Sequence, residues 1–135
     1  MRSKFEEKVA ANLTKLNVAF EYEPYQVQYW SPVRSALCNL CNGAQVVKAR
    51  WYTPDFVLKN GVIIEAKGKF TSANRSAIID ILDTSVYIDR RNFRLLFMAD
   101  NTFGKKGKRY SDWCNQNGII FHVSRQGEIP QEWIN

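Results

Sequence analysis

The chain has 135 residues and a mass of 15.7 kDa, which suits one compact domain and excludes two of ordinary size. Apolar residues make up 45% and aromatics 13%, so a real core can form and global disorder is excluded. Nineteen Lys and Arg against 13 Asp and Glu leave a net charge of +6, a balance that points to a polyanionic partner.

In chain order, residues 3–16 read as an amphipathic helix. Phe5, Val9, Leu13 and Leu16 recur at helical spacing, with Lys4, Glu7, Lys8 and Lys15 on the polar side and Asn17 as the stop. Residues 18–29 are rich in aromatic and β-branched types and read as one or two strand pieces broken near Pro24. Residues 31–50 show no clear period and are expected to form a long loop or bridging element within a single domain spanning residues 1–135. Residues 51–58 and 62–67 flank Lys59-Asn60-Gly61, a strong hairpin signal. Thr71 or Ser72 can cap a helix running to about Tyr87, with Ile78, Ile79, Leu82 and Val86 as its apolar face. Residues 93–99 form a near-continuous apolar run, the pattern of a central strand buried on both faces. Ser111 can cap a short helix through Asn117, which Gly118 ends, and residues 119–123 make a final strand. The order predicts a mixed α/β domain around one central sheet flanked by helices.

Charge is unevenly placed. Residues 90–109 hold seven basic residues and one acid, Asp100, a net +6 equal to that of the whole chain. Within it, residues 103–109 read as a flexible basic loop in which Lys105, Lys106, Lys108 and Arg109 can meet phosphates. Lys69 and Arg75, near the start of the predicted second helix, are further phosphate-binding candidates. The bland alternative for all six is a solvated surface.

The most informative stretch is Thr53-Pro54-Asp55-Phe56 followed by Glu65-Ala66-Lys67-Gly68. Side chains alternate along a strand, so Ile63, Glu65 and Lys67 share one face, with about 6.6 Å between Glu65 and Lys67. The hairpin can bring Asp55 beside Glu65. Charges at the edge of an apolar strand are costly unless paired or bound to metal. Hard oxygen donors such as Asp55, Glu65 and the Ala66 carbonyl suit Mg²⁺, which retains waters and also binds phosphate. Such an ion polarises a phosphodiester and acidifies a water, and Lys67 can orient that water, steady the developing charge or take part in proton transfer. The plain alternative is a surface Glu65–Lys67 pair of small energetic consequence and an Asp55 that shapes a turn. Glu6, on the first helix between Phe5 and Val9, is the next candidate; periodicity alone does not separate it from Glu7.

Taken together, several short motifs resemble the phage-type endonuclease I family of Holliday junction resolving enzymes. They are Arg2-Ser3-x-Phe5-Glu6-Glu7-Lys8-Val9, Phe20-Glu21-Tyr22-Glu23, Tyr52-Thr53-Pro54-Asp55-Phe56, Gly61-Val62-Ile63-Ile64-Glu65-Ala66-Lys67-Gly68, Cys114 with Asn117-Gly118-Ile119, and Ile129-Pro130-x-Glu132-Trp133-Ile134. The resemblance runs almost end to end. It implies a restriction-endonuclease-like PD-(D/E)xK core. It also implies catalytic roles for Glu6, Asp55, Glu65 and Lys67, with Asp55 and Glu65 as Mg²⁺ ligands and Mn²⁺ as an expected substitute. The implied substrate is branched double-stranded DNA, and the implied setting is a phage-encoded protein in the bacterial cytoplasm; no stretch approaches the roughly 18 apolar residues of a membrane span, so no membrane partner is expected. The implied assembly is a homodimer with exchanged elements, in which Glu6 comes from one chain and Asp55, Glu65 and Lys67 from the other. A twofold dimer matches the two symmetric scissile phosphates of a four-way junction. The bridge, residues 29–51, is longer than is typical of the family, and it can either keep the exchange or let each chain fold back on itself.

Weaker signals remain. Cys38-Asn39-Leu40-Cys41, with Cys114 and the lone His122, is a candidate structural zinc site, against the alternative of separate thiols and a packed histidine. Tyr25, Tyr29 and Trp30 can stack on bases or serve as core or dimer interface. Two other functions fit the same residues: a site-specific homing or restriction-type nuclease of the same core, and a non-catalytic DNA-binding module.

Overall fold

The computed structural model describes residues 2–38 and 44–135. Helix α1, Lys4–Lys15, is capped by Ser3, whose hydroxyl accepts from the Glu6 N–H, and it buries Phe5, Val9, Ala10 and Leu13. Asn17 then takes a left-handed conformation, φ 59°, and ends the element as expected.

Five strands form the central sheet: β1 (Phe20–Tyr22), β4 (Phe56–Leu58), β5 (Ile63–Lys67), β6 (Phe93–Phe97) and β9 (Ile120–Val123), in the order β1-β4-β5-β6-β9. The β1–β4 and β4–β5 pairs are antiparallel, whereas β5–β6 and β6–β9 are parallel, so the sheet is mixed. The Asn-Gly signal lies at the β4–β5 turn, where Gly61 takes φ +90°. Strand β6 lies inside the sheet between β5 and β9, and Phe93, Leu95, Leu96 and Phe97 are fully buried, because α-helices cover both faces.

Alternation along the strands separates two core layers. Phe56, Ile64 and Leu96 point toward α1 and the C-terminal Ile129 and Trp133. Ile63, Phe93, Leu95 and Phe97 point toward helices α2 (Ser72–Thr84) and α3 (Tyr110–Gln116). Among the described residues, no helix is long and apolar enough to cross a membrane.

Several expectations are corrected. Within residues 31–50, the described residues 31–38 and 44–50 are strand rather than loop, and residues 39–43 lie outside the described residues. Strands β2 (Val27–Cys38) and β3 (Ala44–Tyr52) pair as an antiparallel ribbon, with a bulge between Pro32 and Leu37. The inner side of the ribbon packs on α2 through Val27 and Tyr29, and the Trp30 N–H donates to Thr84 Oγ1 at 2.9 Å. Its other side carries exposed Val47 and Trp51, so no apolar-polar alternation marks it. Helix α2 starts with a Thr71–Asn74 capping box but stops at Thr84, three residues short of Tyr87. Val86 and Tyr87 are therefore exposed rather than part of the apolar face. Helix α3 is preceded by Arg109, with Asp112 accepting its N–H, whereas Ser111 bonds to Asp100 instead of capping. The basic loop is a short hairpin, β7 (Thr102–Phe103) against β8 (Lys108–Arg109), and Gly104 and Gly107 in left-handed conformations frame Lys105 and Lys106.

Candidate active site

Thr53 and Pro54 break the chain between β3 and β4, so the ribbon ends and Asp55 enters the main sheet. Phe56 pairs with Ile64 and Val57 with Ile63, a register that carries Asp55 up beside Glu65. The Ala66 N–H donates to Asp55 Oδ2 at 3.0 Å and holds the carboxylate there. Glu65 and Lys67 share the β5 face that also carries Ile63, and Lys67 Nζ lies 3.3 Å from Glu65 Oε2. The second Glu65 oxygen, Oε1, accepts a hydrogen bond from the Tyr52 hydroxyl.

Glu65 is only 6% exposed, an unusual position for a carboxylate. Burial raises its pKa against the opposing pull of Lys67 and Tyr52. Asp55 is pushed up to about 8, first by burial and then by the charge of Glu65. Burial and the neighbouring Glu65 also push the Tyr52 phenol well above its ordinary range, so it stays a donor.

Helix α1 adds a third acid. Its first turn places Glu6 near Asp55, with Oε2 accepting from the Tyr22 hydroxyl at 2.6 Å and Oε1 from Ser3 Oγ at 3.1 Å. Burial, then Glu6, raise the Tyr22 pKa. Glu23 joins the group just past the end of β1, in a left-handed conformation with φ 47°, its N–H donating to the Asp55 carbonyl at 2.9 Å. One carboxylate oxygen from each of Glu6, Glu23 and Asp55 lies within 4.8 Å of the others. Opposed Mg²⁺ ligands at about 2.1 Å per bond stand about 4.2 Å apart, so the three oxygens are spaced on the scale of a coordination shell. The hard-oxygen donors and the raised carboxyls therefore fit a divalent cation, whose charge would relieve the repulsion.

All four carboxylate and lysine positions singled out in the sequence thus converge: Glu6, Asp55, Glu65 and Lys67. They converge within one chain, because α1 and β1 fold back onto their own β4 and β5. Glu23 and Tyr52 stand in the motifs quoted above, but the sequence alone assigns neither a role in the site. Glu23 reaches Asp55 only through the pairing of Tyr22 with Phe56. Tyr52 reaches Glu65 only because the β2–β3 ribbon packs under α2.

The remaining candidates divide. Lys105 and Lys106 are exposed in the turn of the β7–β8 hairpin, which follows the C-terminal end of β6 beside that of β5. Lys69 is exposed between β5 and α2 and lines a shallow cleft with Thr71 and Asn101. Arg75 lies 3.9 Å above the Phe103 ring and donates to the Phe70 carbonyl at 2.5 Å, which ties α2 to the hairpin. Lys108 bonds to Gln116, and Arg109 donates to the Asp100 carbonyl at 2.9 Å. Of the four zinc candidates, Cys114 and His122 are not brought together. Cys114 is buried in the layer under α2 and α3, while the His122 ring packs against Trp133 in the α1 layer on the other side of the sheet. Cys41 lies outside the described residues.

The site thus defines a class by its make-up: a mixed α/β protein with carboxylates and a lysine gathered at the strand ends of its sheet. Comparison with known proteins narrows this. The family model described as phage endonuclease I matches residues 1–135. Endonuclease I of Escherichia phage T7 is 32% identical over 135 residues, covering 98% of this chain and 77% of that protein. Endodeoxyribonuclease 1 of Enterobacteria phage T3 is 32% identical over 122 residues, covering 89% of this chain and 69% of its own length. The chain belongs to the phage endonuclease I family.

Proposed function

We propose that this protein is a Mg²⁺-dependent endodeoxyribonuclease with a PD-(D/E)xK centre that cuts four-way and other branched DNA. The observation that carries the reading is the convergence of Glu6, Asp55, Glu65 and Lys67 at the strand ends of the sheet, in a chain whose Lys69, Lys105 and Lys106 are exposed. Asp55, Glu65 and the Ala66 carbonyl would hold the cation, with Glu6 and Glu23 completing the acidic wall around Asp55. When bound, the ion supplies charge neutralisation at the phosphoryl oxygens and acidifies a water.

The chain's own residues do the rest. Lys67, side chain partly exposed, can leave Glu65 to orient the attacking water or to contact the scissile phosphate. Glu6 accepts a proton or positions water from the α1 side, while Tyr22 and Ser3 hold it in place. Lys69, Lys105 and Lys106 meet neighbouring phosphates and raise the on-rate for a polyanion. A homodimer with one such centre per chain would present two sites to the two strands of a junction. An unexchanged pair would carry one such centre in each chain. A pair that swapped α1 and β1 through the β2–β3 ribbon would build the same centre twice.

The test is to incubate the protein with a four-way junction or a matched linear duplex, with Mg²⁺ or EDTA. Junction-selective nicking that needs Mg²⁺ supports the reading. Sequence-dependent cutting of the duplex would assign a site-specific nuclease instead, and binding without any cutting would assign a DNA-binding module.

A further inference from the structure

Glu65 is held at both oxygens, by Lys67 on Oε2 and by Tyr52 on Oε1. The two restraints differ in kind. Lys67 lies two residues along the same strand, ends in a flexible ammonium and is the cation that substrate phosphate would compete for. Tyr52 comes from a different element, the last residue of β3. It pairs with the buried Val27 in the ribbon, and its ring packs into the core under α2. A phenol has one donor and a short, stiff side chain, so its hydroxyl is aimed by the backbone of the ribbon.

We propose that Tyr52 is a positioning residue that keeps the Glu65 carboxylate oriented for metal binding when Lys67 turns to the substrate. The inference rests on the nuclease reading above. It also gives the β2–β3 ribbon a role in the centre, because the ribbon's pairing and packing fix where the hydroxyl stands. A carboxylate held by an outer hydrogen bond binds its ion more tightly because it loses less rotational freedom on binding, and such partners are typically worth about 10- to 100-fold in metal affinity.

Tyr52→Phe removes one oxygen and keeps the ring. We expect the Mg²⁺ concentration for half-maximal junction cleavage to rise about 10- to 100-fold. The rate at saturating Mg²⁺ should stay within a few-fold of wild type, and Mn²⁺ affinity by calorimetry should fall by the same factor as for Mg²⁺. Junction affinity in Ca²⁺ should not change. Tyr29→Phe, which alters another aromatic of the same ribbon packed under α2, should leave all four measurements in place. An unchanged metal requirement in Tyr52→Phe, in an active wild-type background, overturns the inference and leaves the nuclease reading standing. A wild type that neither binds Mn²⁺ nor cuts in Mg²⁺ overturns both. Should Tyr52→Phe fail to fold, wild-type protein labelled with ¹³Cζ-tyrosine carries the test. The Tyr52 signal should shift on Mg²⁺ titration, and a signal indifferent to saturating Mg²⁺ overturns the proposal.

Discussion

Asp55 and Glu65 stand side by side at the ends of β4 and β5, and the Ala66 N–H donates to Asp55 Oδ2 at 3.0 Å. Two carboxylates so placed, one of them nearly inaccessible, repel each other and lose hydration together. Without a cation this is an unfavourable arrangement, and its cost is what a metal site would relieve.

The first prediction concerns activity. Glu65→Ala and Lys67→Ala should each lower Mg²⁺-dependent junction cleavage by about 100-fold or more, on the scale of losing one stabiliser of the developing charge. Gel-shift affinity in Ca²⁺ should stay within a few-fold. Undiminished cleavage by either variant would refute the assignment.

A second prediction follows from the raised Asp55 pKa. The folded value, about 8, lies above that of an unfolded aspartate, so the native state holds its proton more tightly. This contribution to stability is fully present below the unfolded carboxyl's range and is lost as pH rises toward about 8. In EDTA, the Tm difference between wild type and Asp55→Asn should therefore widen in favour of the variant from pH 5 to pH 8.5. Added Mg²⁺ should raise the wild-type Tm most at pH 8.5 and should do little for the variant. A pH-independent difference, measured by calorimetry, would contradict burial beside Glu65 as the cause of the Asp55 shift.

The docking of α1 supplies a third. Gly127 takes φ +72°, and a Cβ there would come within 3.1 Å of both the Val9 N and Cγ2. Its carbonyl also accepts from Asn12 Nδ2 at 2.8 Å. Gly127→Ala should cost about 1–3 kcal/mol, from left-handed strain and overpacking together. It should also reduce cleavage at temperatures where the protein remains folded, because α1 carries Glu6. Full activity in the folded variant would separate α1 docking from the centre.

Charge on the hairpin gives a fourth. The double change Lys105→Ala and Lys106→Ala should weaken junction binding several-fold and reduce the slope of log K against log salt by about two. Cleavage at saturating DNA should change little. Arg75→Ala should instead lower Tm, since Arg75 stacks on Phe103 and bonds the Phe70 carbonyl.

Cysteine chemistry gives a fifth. Cys114 is fully buried, and burial pushes its thiol up to about 12. It should resist a thiol reagent at pH 8 until the protein unfolds. Neither Cys114→Ala nor His122→Ala should alter the zinc content of purified protein, because the two residues lie in opposite layers of the sheet. A parallel loss of zinc in both variants would show otherwise.

Much of the fold was readable from residue order. Local signals are strong where a short segment carries its own reason for its shape: the spacing of Phe5, Val9 and Leu13, the Asn60-Gly61 turn, the cap at Thr71 and the apolar run in β6. The ribbon was not readable, because a two-stranded arm with one side exposed has no need of regular alternation, and its inner residues find their partner only in α2. The end of α2 was misplaced for a related reason. Thr84 turns its hydroxyl to the Trp30 carbonyl, 54 residues away in sequence, and the chain leaves the helix there.

The sequence by itself determined which charged groups meet at the strand ends, since Asp55 just before β4 and Glu65 and Lys67 on β5 follow from alternation and a two-strand register. Only the tertiary structure decided what surrounds them. Glu6 and Glu23 arrive when α1 and β1 pack on the same sheet, and the Tyr52 hydroxyl arrives when the ribbon docks under α2. The physical reason is that hydrogen bonds along one strand pair are written in nearest-neighbour order, whereas burial of a charged group depends on which distant surfaces close over it.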